Sequence, residues 1–131
     1  MRFKIYRDSW RRGGIKHNQT DGKTLLLNDQ QKMCCLGQIL HEAGVPLRHL
    51  GNIGDPENLP SYKNIALSIG LLDGDACGTD LTQKCVDEND SETRRESTRE
   101  RKIAEALATA GHQVEFVDGV APWFLKKRRK G

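Results

Sequence analysis

Apolar residues at steps of three and four dominate residues 32–44. Met33, Leu36, Leu40 and Ala43 share one side of a predicted helix, and Cys35 and Ile39 widen that side enough to bury it deeply. Gly44 is placed to close this helix, and Pro46 cannot continue it. At the N-terminus the period is two: Phe3 and Ile5 alternate with Arg2, Lys4 and Tyr6, the pattern of a half-buried strand. The same period returns after Gly111, where Val114 and Phe116 alternate with Gln113 and Glu115, and this strand is expected beside the first. A third short strand is predicted over residues 23–27, after the Asp21-Gly22 turn signal. Asn28 or Asp29, with Gln31, has the pattern of a cap for the cysteine helix.

Residues 45–60 read as a loop tethered by Leu47, Leu50 and Ile53. Three further helical segments follow. Ser61 precedes a short one with Ile65, Ile69 and Leu72 on one side; Thr79 or Asp80 opens another with Leu81, Cys85 and Val86 inward, ending near Asn89-Asp90. Thr93 and Glu96 form a capping box before an apolar stripe of Ile103, Ala106, Leu107 and Ala110, which Gly111 closes. The first half of that helix, residues 94–102, is wholly polar and is expected to project into water or against a partner. The predicted fold is α+β: a small sheet of the N- and C-terminal strands plus residues 23–27, covered by the cysteine helix and the Thr93-capped helix.

With 131 residues the chain fits one domain, read here as residues 1–125, followed by a basic tail, residues 126–131. No stretch approaches the roughly 20 apolar residues of a membrane span, and Met1-Arg2-Phe3-Lys4 lacks the apolar run of a signal peptide. The expected location is the cytosol, with the four cysteines reduced. The net charge of +3 is segregated: six Lys/Arg against one Asp over residues 1–16, five against twelve acids over 17–93, and five basic residues in the tail.

Candidate chemistry begins at Cys34 and Cys35, placed in the first turn of a helix where free amides and the helix dipole favour a thiolate. In an enzyme reading Cys34 is the catalytic nucleophile, with His17, His41, His49 and His112 as candidate bases; in the opposing reading both thiols are small buried hydrophobes. The cysteines show no C-x-x-C spacing, so no metal and no cofactor is expected. Residues 73–78 begin like a calcium loop, then place Cys77 and Lys84 where oxygen ligands belong, and read as a polar turn. Arg94, Arg95, Arg99 and Arg101 are the candidate partner-binding residues, interleaved with Glu96, Glu100 and Glu105. Lys126, Lys127, Arg128, Arg129 and Lys130 offer an alternative nucleic-acid contact, without interleaved aromatics for stacking on bases.

Trp10 with the following Arg-Gly, the run Lys32-Met33-Cys34-Cys35-Leu36-Gly37, Ala43-Gly44, Leu59-Pro60, Asn89-Asp90 and residues 101–117 occur in an order that resembles a family of small phage and prophage proteins with a Met-Cys-Cys-Leu-Gly motif. His41-Glu42 and the basic tail depart from that pattern. The resemblance implies phage origin more than mechanism. By analogy with phage accessory proteins of this size, it implies binding to a host protein, including a component of an anti-phage defence complex, rather than catalysis.

Overall fold

β1 (Arg2–Tyr6) and β2 (Gln113–Val117) pair in parallel, Phe3 opposite Val114 and Ile5 opposite Phe116, so the two alternating segments meet with their apolar residues on one face. Parallel pairing requires a long crossover, and here nearly the whole chain supplies it. The computed structural model describes residues 1–13, 25–28, 30–91 and 94–125. Between the strands run α1 (Cys35–Ala43), α2 (Lys63–Ser68), α3 (Asp80–Asp90) and α4 (Glu96–Thr109). The protein is α+β, as expected, and no described helix is long and apolar enough to cross a membrane.

α1 is the centre of the core. Cys35, Leu36, Ile39 and Leu40 are buried, and Gly44 closes the helix at φ +126°, donating to the carbonyls of His41 and Leu40. Gly37 is required for a different reason: a Cβ there would lie 1.9 Å from the Leu26 carbonyl oxygen, so only a bare backbone lets residues 25–27 cross the helix.

The expected third strand is not in the sheet. Of its residues, Lys23 and Thr24 lie outside the described set. Leu25, Leu26 and Leu27 bond to Cys34, Ile53 and Gly51–Asn52 instead, as a strap between α1 and the loop. The cap of α1 also differs. Asn28 Oδ1 accepts from the amides of Gln30 and Lys32 in a turn of its own, and Cys34 occupies the N-cap; Asp29 lies outside the described residues. Ser61 is not the cap of α2, a position held by Tyr62 at φ +68°. Thr79 caps α3 as expected, its hydroxyl accepting from Thr82 N.

α4 starts at Arg95 rather than at a capping box. Thr93 lies outside the described residues, and Glu96 turns to Arg12 at 2.5 Å and Arg99 at 3.5 Å. Ile103, Ala106 and Leu107 pack inward as predicted. Arg7 fastens the end of β1 to α4 and to the loop after β2, with a forked pair to Glu100 at 2.7 Å and a contact to Asp118 at 2.9 Å. Past β2, Trp123 folds back against Tyr6 and His41.

Candidate functional site

The end of α3 holds the structure's main buried polar cluster, and Asn89 is its hub. A helix leaves its last carbonyls and its first amides without partners, and the cluster resolves both problems at once. Asn89 Oδ1 accepts from Trp10 Nε1 at 2.7 Å and from the Cys35 amide, the first of α1, at 3.0 Å. Its Nδ2 donates to the Arg11 carbonyl and to Asp90 Oδ1. Its own carbonyl accepts from Gly13 N at 2.7 Å and from Arg99 Nη1 at 2.9 Å. A Cβ on Gly13 would meet Asp90 O at 2.3 Å, so the backbones touch here as they do at Gly37.

Arg99 closes the cluster from α4. It is only 2 % exposed, and its guanidinium donates to the carbonyls of Glu88, Asn89, Gly13 and Arg94, with Glu96 as its carboxylate partner. A cation at the C-terminal end of α3 is also favoured by that helix's dipole. Arg12 lies 4.2 Å over the Trp10 ring and donates to the Trp10 carbonyl; burial pushes its pKa down while Glu96 opposes the shift.

This arrangement corrects one sequence expectation. The polar first half of α4 does not simply project into water, because Arg99 turns inward as the anchor of the helix. Among the other candidate partner-binding residues, Arg94 makes a forked pair with Glu88 at 2.8 and 3.0 Å. Arg95 is exposed at the N-cap, and Arg101 is exposed with a long 3.4 Å contact to Glu105. Lys126, Lys127, Arg128, Arg129 and Lys130 lie outside the described residues.

Beside the hub opens a cleft of about 410 Å³, with Cys34 and Val86 in its wall and Asp55, Glu57, Asp80 and Asp90 around it. Cys34 is 5 % exposed, and burial pushes its thiol up to about 12, aided by the Asp90 carboxylate and opposed by the amides of Gly37 and Leu36. Cys35 is raised as well, chiefly by the hydrogen bond it shares with the buried Cys85 thiol, then by burial. Among the described residues no histidine is placed as a base. His41 Nδ1 meets the Val45 carbonyl, His49 lies edge-on to the Tyr62 ring, and His112 Nε2 meets the Ile69 carbonyl; His17 lies outside the described residues. At neutral pH the helix-start thiols are therefore protonated packing groups, and the dipole effect that favours a thiolate is outweighed by desolvation.

Cys77 is the exposed thiol, in the predicted polar turn, where Asp73 Oδ1 accepts from the amides of Asp75 and Cys77. Among the described residues no three His, Cys, Asp or Glu side chains converge in a way that would hold a metal ion. Sequence reading missed the hub, although it had singled out its parts: Trp10, Gly13, Cys35 and Asn89 belong to the motif residues noted above. Arg99 carried a readable signal, since it precedes Ile103 and Leu107 at four-residue steps and so extends the buried stripe. No family model, curated protein or solved structure matches the chain.

Proposed function

We propose that this protein is a phage-type accessory protein that acts by binding another protein, a component of a bacterial anti-phage defence complex, in the host cytosol. The observation that carries the binding reading is the state of the thiols: Cys34 is buried and protonated, and no described histidine is placed beside it as a base, so the most conspicuous chemical group of the chain serves packing. The surface of α3 and α4 beside the hub is strongly charged. α4 offers exposed Arg95 and Arg101 on a helix that Arg99 holds rigidly, and the adjoining α3 carries Asp80, Asp87 and Glu88. Neighbouring patches of opposite sign favour fast, oriented association. The phage origin and the defence target rest on the motif resemblance and on analogy.

The test is capture from bacterial lysate by the wild-type chain and by a variant carrying Arg95→Glu and Arg101→Glu. Both positions are exposed, so the variant is expected to fold normally and to lose the partner. Unchanged capture rejects this surface. Loss of function in a normally stable Cys34→Ser variant, with capture retained, favours the enzyme reading instead.

A further inference from the structure

The two edges of the sheet are finished differently. In the register of β1 and β2, the amide of Gln113 donates to the Met1 carbonyl, which sets Gln113, Glu115 and Val117 to bond across to β1 and turns Lys4 and Tyr6 outward. That outer edge of β1 is covered in part by side chains of α1, at Lys4 and Tyr6. Glu42 Oε1 accepts from the Lys4 amide at 2.6 Å, and Gln38 brackets Tyr6, accepting from its amide at 2.7 Å and donating to its carbonyl at 3.2 Å. The same register turns the amides and carbonyls of Val114 and Phe116 outward on β2, and among the described residues no hydrogen bond meets them. Backbone groups stay unpaired only where water reaches them, and an unprotected edge is a template for another strand.

We infer that the β2 edge takes an extended strand of the partner protein in which apolar and basic residues alternate. This rests on the reading that the protein acts by binding another protein. The half-buried Val114 and Phe116 flank one face of the open edge and ask for apolar neighbours. On the other face Glu115 is exposed and is the one charged residue of β2, while Arg2 and Lys4 stand on the far strand. A basic residue beside Glu115 completes the alternation. A second copy of this chain fits poorly: pairing that uses Val114 and Phe116 of both copies sets Glu115 opposite its own equivalent, and like charges directly opposite destabilise a sheet. A third strand also brings the sheet to the size at which strands support one another.

The experiment uses the full chain and a blocked heptapeptide of alternating valine and lysine, with two comparison peptides: glutamate in place of lysine, and N-methyl groups on alternate amides. Hydrogen exchange at Val114 and Phe116, read by NMR, is expected to be fast in the free protein and to slow about tenfold or more with the lysine peptide, as their hydrogen bonds form. The N-methylated peptide is expected to have no effect. The lysine peptide is expected to bind about fivefold more tightly than the glutamate peptide, the worth of one good cross-strand charge pair, and Glu115→Lys is expected to invert that preference. Slow exchange at Val114 and Phe116 in the free protein overturns the proposal. So does the absence of protection by the lysine peptide, or a peptide preference that ignores Glu115→Lys. Protection that grows with protein concentration alone, with a dimer in sedimentation, assigns the edge to a second copy and also overturns it. Arg95 and Arg101 play no part in this readout, so its failure rejects the edge without touching the arginine surface.

Discussion

The packing of α1 and α4 on the sheet and the cluster around Asn89 are both buried, yet they are held by different physics. In the first, Ile5, Leu36, Ile39, Leu40, Ile103 and Leu107 contribute apolar area, which is non-directional and roughly proportional to the surface removed from water. In the second, Trp10, Cys35, Asn89 and Arg99 contribute bonds of fixed length and direction, which satisfy the Cys35 amide and the carbonyls that end α3 along with the buried Trp10 indole N–H. Area tolerates small changes of shape. A network of this kind does not, because losing one member strands several partners in a medium that cannot replace them.

The sharpest break in that comparison is Arg99→Leu, which keeps bulk but leaves the carbonyls of Glu88, Asn89, Gly13 and Arg94 without their donor. The expected cost is about 3 to 5 kcal/mol, a large share of the stability of a domain this size, and urea unfolding reads it directly. Cys35→Ala, at the junction of the two regions, is expected to cost about 1 to 3 kcal/mol by the transfer and cavity terms. In the apolar region Ile39→Val is expected to cost only about 1 kcal/mol. If Arg99→Leu proves no more costly than Ile39→Val, the distinction between the regions fails.

The thiols sharpen the comparison through pH. The Cys34 pKa is raised in the folded state to about 12, above the ordinary thiol value of roughly 8.5, so the folded protein holds the proton more tightly than the unfolded chain. Its contribution to stability is complete below the unfolded value and is lost as pH rises toward 12. A Cys34→Ala variant is therefore expected to show a shallower alkaline fall in stability. Native alkylation at pH 8 is expected to modify Cys77 and to spare Cys34, Cys35 and Cys85 until the chain is unfolded, as mass spectrometry will show. The smallest effect belongs to the surface: Arg95→Glu with Arg101→Glu is expected to change stability by less than about 0.5 kcal/mol, in contrast to its effect on partner capture.

The elements that repeat a period were legible from the chain alone. Phe3 and Ile5, Val114 and Phe116, the α1 stripe and the Ile103–Leu107 stripe all follow from which side chains must leave water, and that preference is local. Residues 25–27 were misread for a related reason: an apolar run marks burial but does not say against what, and the close approach at Gly37 was settled by tertiary packing. Likewise, the position of Cys34 at a helix start was visible, whereas its protonation state depended on the desolvation that only the assembled core imposes. Arg99 is the clearest case. Its four-residue spacing to Ile103 and Leu107 put it on the buried stripe, but a guanidinium among polar Glu and Arg neighbours reads as solvated. It is buried because the carbonyls that end α3 are brought to it from ten residues earlier in the chain, and those of Gly13 from the N-terminal loop. The sequence determines which groups prefer to leave water; which polar groups meet once they have left it is decided by where the folded chain places their partners.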